Sequence, residues 1–432
     1  EAIHITDELV EDFIKSSLKA GKDVVITGNP GDGKTQLIRK LAGTVEELGA
    51  ICNPDATAED SYENIVKEWQ AATKKEKPYL LAINEGPLRE FIDEYAAKLP
   101  VLKDIAEQVD RGVGYGGASV PADNVVVVDL NNRSPVVFGI WNALVERLID
   151  NRFYLACKSC PAVATCDVPK ARKVMGSAEV RKRIFQILEL VAKRGHHVTM
   201  RDLLGLVSFM IAGGKNCDQL IASREAQPYY SQLYKGENAL FNAIRETFDP
   251  AKISHPFFDE QLWNGRTERT DWLFGNTEQP PYAVADAERF ESLKTLKRKF
   301  FFEHAQGPSL VALLPDDEKK FYEMLEKTDA DEKILRLLVR QLNRYYDPSS
   351  RDDDQLHLWL RHSYDERQAT TYISSKATSR SKFTLVRPKL ARELAKAYQF
   401  HADHVALTVS KDDTVIRLQI DLTLYRSLYD AE

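Results

Sequence analysis

One octapeptide constrains this chain more than any other feature. Gly28-Asn29-Pro30-Gly31-Asp32-Gly33-Lys34-Thr35 fits the pattern GxxxxGK[ST] in full. Immediately before it, 23–27 (DVVIT) is short, apolar and β-branched, as expected of a buried parallel strand. Immediately after it, from 33 to about 48, apolar residues return at helical spacing. A chance match in a turn would lack both flanks. Strand, glycine loop and helix together describe a phosphate cradle. The glycines let backbone N–H groups turn inward, Lys34 places a charge between β- and γ-phosphates, and the Thr35 hydroxyl ligates Mg²⁺. The helix adds the positive end of its dipole. Gly28, Asn29, Pro30, Gly31, Asp32, Gly33, Lys34, Thr35 and Gln36 are therefore the expected nucleotide contacts, with ATP and Mg²⁺ as cofactors.

Hydrolysis needs partners for the cradle. The run 79–85 (YLLAINE) ends in Asn84-Glu85. A carboxylate at a strand's carboxyl end can polarise an attacking water, which makes Glu85 the expected general base. Asn84 can hold a Mg²⁺-bound water through its carbonyl oxygen but brings no charge, so weaker metal affinity or slower turnover is expected. The plainer alternative is that 84–87 forms only a strand-ending turn. The next apolar run, 124–130 (NVVVVDL), leads into Asn131-Asn132-Arg133. Asn131 and Asn132 are alternatives for touching the γ-phosphate or orienting the water. They could equally belong to a turn before a helix starting at Ser134-Pro135.

Strands alternating with helices predict a parallel α/β sheet. A helix over 7–20 should stop at Gly21, one over 177–194 at Gly195, and one from Thr199, with Asp202 completing a capping box, at Gly213-Gly214. Residues 225–350 read as mainly helical. Residues 353–432 read as mixed, with strand alternation at 355–361 and 414–422 and a turn at Asp412-Asp413. The segment 112–117 (GVGYGG) reads as a mobile loop. The segment 294–302 (KTLKRKFFF) reads as a helix with a buried aromatic stripe rather than a base-stacking surface. The expected division is 1–155 for the α/β core, 156–225 for a cysteine knot and helical lid, 226–350 for a helical region and 351–432 for a C-terminal α+β region. A chain of 432 residues has room for these.

Cys157, Cys160 and Cys166 give C-x₂-C-x₅-C, a hook suited to one tetrahedral ion. Cys217 is the preferred fourth ligand, with His196 and His197 as competitors, and structural Zn²⁺ the preferred metal over an iron–sulfur cluster. Free thiols are the bland alternative. Cys52 reads as a small core residue on a second strand. Five cysteines, three of them clustered, suit a reducing cytoplasm. No run approaches the ~20 apolar residues that span a bilayer, and no signal peptide is visible, so a cytoplasmic protein without membrane contact is expected.

The net charge of −6 gives no global sign of a nucleic-acid binder. Locally, Lys376, Arg380, Lys382, Arg387, Lys389, Arg392 and Lys396 fall within 376–396 with Glu393 the only acid. Such a stretch suits a DNA backbone or, equally, a solvated face or protein interface. Asp352–Asp354 reads as a solvated acidic turn rather than part of a nuclease site.

With these parts in hand, the chain resembles the AAA+ group of P-loop ATPases over residues ~20–215. That resemblance implies that Arg201, in HVTMRDLL (197–204), reaches the γ-phosphate from the lid. It also implies an arginine finger acting across a subunit boundary in a homo- or hetero-oligomer, for which Arg111, Arg133, Arg152 and Arg181 are open choices. GNPGDGKT, the Asn84–Gly86 turn, DLNNR (129–133), the cysteine hook and the lid together resemble the ATPase component of bacterial DNA phosphorothioation-dependent restriction systems. The narrower resemblance implies a defence ATPase working with partner subunits on DNA. A low-turnover regulatory switch and a protein-remodelling ATPase are the alternatives.

Overall fold

The computed structural model describes residues 8–59, 61–111, 113–115, 124–223, 228–276, 278–310, 316–326, 331–362, 371–390, 394–396, 400, 402–411 and 414–429. Two compact units result. The first comprises 1–110, 121–312 and 396–399, the second 111–120, 313–395 and 400–432.

The first unit opens with α1 (Glu8–Lys19), β1 (Asp23–Thr27) and α2 (Lys34–Leu48). There follow β2 (Ile51–Asn53), α3 (Glu63–Lys74), β3 (Tyr79–Ala82), α4 (Glu85–Tyr95) and α5 (Val101–Arg111). Next come β4 (Val113–Tyr115), which belongs to the second unit, and β5 (Val125–Asp129). Strands β2, β3, β1 and β5 form one parallel sheet in that order, with Val24 opposite both Leu80 and Val126. A parallel sheet is covered on both faces, and Val24, Val25, Ile26, Leu80 and Leu81 are wholly buried. Each such side chain contributes about 1.5–3 kcal/mol. The Asp23 carboxylate accepts from Trp69 Nε1 and Tyr79 N, both at 2.7 Å, tying α3 and β3 to β1. Burial pushes that carboxyl's pKa up. The mixed α/β character and the parallel sheet are as the sequence predicts.

Two local expectations change. The helix after Asn132 begins at Phe138, not at Ser134-Pro135. The Ser134 hydroxyl accepts from Val136 N at 3.3 Å, and Val137 is extended (φ −120, ψ 134). Val137 N donates to Pro135 O at 2.9 Å, a tight turn centred on the buried Val136 that delays the helix. Second, 84–87 is no mere turn. Asn84 is the N-cap position of α4, and Leu88, Phe91 and Tyr95 bury one face of that helix.

The helical part continues with α6 (Phe138–Leu148), α7 (Asp167–Met175), α8 (Ala178–Lys193), α9 (Met200–Ala212) and α10 (Cys217–Ser223). Beyond these lie α11 (Tyr229–Gln232), α12 (Ala239–Thr247), α13 (Pro256–Trp263) and α14 (Arg289–Glu303). The capping box at Thr199 forms: Thr199 Oγ1 accepts from Asp202 N and Asp202 Oδ2 accepts from Thr199 N. One apolar cluster runs from Val136 to Leu310, across the divisions drawn at 155 and 225. Helix α14 buries Phe300, Phe301 and Phe302, the expected aromatic stripe. Among the described residues no helix is long and apolar enough to cross a membrane.

The second unit holds α15 (Asp316–Glu326), α16 (Asp331–Tyr346), β6 (Gln355–His362), β7 (Thr371–Ser379), β8 (Phe383–Val386), β9 (Pro388–Leu390), β10 (His404–Lys411), β11 (Thr414–Asp421) and α17 (Leu422–Tyr429). Strands β11, β10 and β8 form an antiparallel sheet, β6 pairs with β7, and β4 pairs with β9. The expected loop at 112–117 is therefore strand over 113–115, and its remaining residues lie outside the described ones, as does the Asp412-Asp413 turn. The basic stretch is not one cationic face. Arg387 is buried, donating to Asp331 at 2.7 Å and to Met324 O at 2.9 Å. Arg380 pairs with Glu332 at 2.9 Å and with Asp354 at 2.8 Å, so the acidic turn is partnered rather than merely solvated. Buried guanidinium groups demand such partners. Lys376, Lys382 and Lys389 are exposed, while Arg392 and the Lys396 side chain lie outside the described residues.

Candidate functional site

All four strands of the parallel sheet end on one edge, and the loops leaving that edge meet around the 28–35 loop. This is where parallel α/β sheets present their binding crevices. Gly28, Gly31 and Gly33 have φ of 141, 105 and 94, values that favour glycine. The loop curls on itself. Lys34 Nζ donates to Gly28 O at 2.9 Å and Asn29 O at 2.8 Å, while Asn29 N is shared between Asp32 Oδ2 at 2.7 Å and Asn131 Oδ1 at 2.9 Å. Burial lowers the Lys34 pKa, against which Asp32, Asp55 and Asp129 act and with which Arg201 acts.

Beside the loop lies a cavity of about 650 Å³, of the size that holds a nucleotide-sized ligand. Gly31, Lys34, Thr35 and Gln36 line one side. Ile140, Met200 and Leu204 give an apolar wall, and Arg133 and Arg201 add cations. Arg201 lies against the loop: its backbone N–H donates to Gly31 O at 3.3 Å, and a Cβ at Gly31 would sit 3.0 Å from Arg201 Cβ. Gly31→Val should cost about 1–3 kcal/mol through the positive φ and this crowding, read as a lower midpoint in denaturant unfolding.

Of the two asparagines, Asn131 faces the loop. Its Nδ2 donates to Glu85 Oε2 at 2.8 Å, so one side chain spans Glu85 and the Asn29 amide. Asn132 instead turns to Asp129, at 3.1 Å. Burial, with the charges of Glu85 and Asp32, raises the Asp129 pKa, partly offset by the Asn131 amide. Glu85 is the first residue of α4, and its other oxygen is held by Arg89 at 3.0 Å. Asn84 lines the cavity, and its N–H donates to Thr57 Oγ1 at 2.9 Å.

Several residues have partners that local sequence does not reveal. His197, a competitor for the cysteine hook, has its Nε2 3.3 Å from Asp32 Oδ1. Arg133, one of the open choices for a trans-acting finger, lines the cavity of its own chain and donates to Asp32 O at 2.9 Å. Arg152 and Arg181 pair with Asp150 and Glu146. Asp55, which the sequence did not single out, lines the cavity with Thr35 and Asn84.

The Asp32 hydrogen bond raises the His197 pKa above its ordinary 6.5. A raised folded-state value means stabilisation that is complete below the unfolded pKa and is lost as pH rises through the folded one. Unfolding stability of the wild type should therefore exceed that of His197→Ala by most on the acid side of 6.5. The gap should narrow on the alkaline side, as measured by denaturant melts across pH.

The Cys157 thiol is pushed up by burial, with Cys217, Cys166 and Cys160 adding to the shift, so those three lie within its field. Cys160 N bonds Cys157 O at 3.3 Å and Cys166 N bonds Ala162 O at 2.9 Å, turning the hook back on itself. Among the described residues no three His, Cys, Asp or Glu side chains are gathered at ligand spacing. Cys52 sits on β2 as a half-buried thiol, pushed by burial to about 11.

Comparison of the chain with protein-family models, with curated proteins and with solved structures finds no match.

Proposed function

We propose that the chain is a P-loop ATPase that binds ATP with Mg²⁺ at the 28–35 loop and hydrolyses it. The observation that carries this reading is the meeting of Lys34, Thr35, Arg133 and Arg201 on one cavity beside a glycine loop that joins a parallel strand to a helix. Backbone amides of the loop and Lys34 would hold the phosphates, and the apolar wall of Ile140, Met200 and Leu204 suits a base. Glu85 would act as base, aimed by Asn131. Bound Mg²⁺ would neutralise phosphate charge.

On the resemblances of the motifs, the ATPase would serve a bacterial DNA-restriction or defence assembly with partner subunits. The C-x₂-C-x₅-C spacing of Cys157, Cys160 and Cys166, with Cys217 as fourth ligand, suits a structural Zn²⁺ that would staple the lid, and binding would have to draw in side chains that are not gathered at ligand spacing. Purified protein with no zinc by elemental analysis would remove that part. A low-turnover switch is the second reading. It is favoured by Arg89 holding Glu85 and by an uncharged Asn84 on the cavity.

Steady-state phosphate release, measured with and without double-stranded DNA, tests the proposal. Mg²⁺-dependent release stimulated by DNA supports the restriction reading. Release stimulated by unfolded protein instead favours a remodeller, and negligible release under every condition favours the switch.

A further inference from the structure

The sequence places the metal partner of Thr35 at the end of 79–85, where Asn84 brings no charge. The strand order offers another residue. Strand β3 lies directly beside β1, and β2 lies beyond β3, so the segment leaving β2 emerges on the same carboxyl edge one strand further out. That segment is Asn53-Pro54-Asp55. Pro54 cannot donate to a ladder, the strand stops, and Asp55 opens a one-turn 3-10 helix (Ala56–Ala58).

Three observations converge on Asp55. It lines the same cavity as Lys34 and Thr35, and its charge acts on the Lys34 ammonium. Its carboxylate caps no N–H of the turn it opens, unlike Asp129, which accepts from Asn131 N. The turn is also locked to the tip of β3, because Thr57 Oγ1 accepts from Asn84 N at 2.9 Å. Asp55, Thr57 and Asn84 therefore occupy one corner of the cavity, with the Thr35 hydroxyl on the same cavity. Glu85 does not line that cavity, and both its oxygens are engaged by Arg89 and Asn131.

We infer that Asp55 is the carboxylate arm of the Mg²⁺ site, acting with the Thr35 hydroxyl, while Asn84 supplies a neutral oxygen to metal-bound water. Mg²⁺ keeps several waters and takes one or two carboxylates plus phosphate oxygens, so a single exposed carboxylate within reach of the nucleotide satisfies it. The inference rests on the reading that the cavity holds a nucleoside phosphate. It divides the labour between two acids: Asp55 for the metal and Glu85 for the water.

The test uses Mn²⁺ as a spectroscopic stand-in for Mg²⁺ and ADP as the nucleotide, on the full chain. Wild type should take up one Mn²⁺ per chain with ADP by electron paramagnetic resonance. Asp55→Asn and Asp55→Ala should bind ADP in chelator as wild type does but bind Mn²⁺ about 10–100-fold more weakly. Glu85→Gln should keep wild-type Mn²⁺ affinity. Both Asp55 variants should fold, since the side chain caps nothing, and unchanged thermal midpoints would show it. Wild-type Mn²⁺ affinity in the Asp55 variants, or loss of it in Glu85→Gln instead, overturns the inference. Failure of wild type to bind ADP with or without metal overturns the nucleotide reading, and the inference with it.

Discussion

Lys34→Ala should remove nucleotide binding and turnover together, with turnover falling by about 10²–10³-fold or more, the scale of deleting one preorganised charge from a transition state. The Lys34 ammonium is buried, and the charges of Asp32, Asp55 and Asp129 act on it. Its present partners are the carbonyls of Gly28 and Asn29, at 2.9 and 2.8 Å. Phosphate oxygens are stronger acceptors than these carbonyls, because both partners then carry charge. Without Lys34 the loop would present a phosphate with three nearby acids and less cationic offset. The check is phosphate release at saturating ATP, alongside equilibrium binding. A variant that binds and hydrolyses as wild type does would show that the cavity serves some other ligand.

Glu85→Gln should separate binding from chemistry. Glutamine keeps the shape but has one acceptor oxygen, so it can serve Arg89 or Asn131 Nδ2 and not both. One contact is lost, while α4 and the 28–35 loop should keep their positions through the rest of their hydrogen bonds. What it loses is basicity, for which about 10²–10⁴-fold in kcat is expected. ATP affinity should be unchanged or tighter, so the variant should trap ATP. Single-turnover kinetics with filter-bound nucleotide reads both quantities. Equal loss of affinity and rate would mean that Glu85 is structural, a latch for Arg89 and Asn131. In the switch reading, the same substitution leaves the already small turnover little changed.

What the sequence could show was local. The strand–loop–helix at 23–48 was legible because glycine positions, β-branching and helical spacing are contiguous. So was the capping box, in which Thr199 and Asp202 sit three residues apart and satisfy each other. Helix α4 could also have been read, since an asparagine N-cap position is followed by apolar residues at 88, 91 and 95. Gly86 and Pro87, in the first turn of that helix, mask the helical spacing.

Residues whose roles depend on strand order were not legible. Asp55 shares a cavity with Lys34 because β2 lies outside β3 and β3 beside β1, and no local pattern encodes that order. His197 looks like a metal ligand beside a cysteine hook, yet it faces Asp32, 165 residues away. The ion pairs within the basic stretch were hidden for the same reason. Arg387 and Arg380 meet Asp331 and Glu332 about fifty residues upstream, and charge counted along the chain cannot reveal a partner brought in by folding.

The most direct measurement is isothermal calorimetry of Mg²⁺–ATP against wild-type protein and against Lys34→Ala. Saturable one-to-one binding by wild type, lost in the variant, is the predicted result. No heat of binding with wild type, or equal binding by both proteins, would contradict the assignment of the 28–35 loop as a nucleotide site.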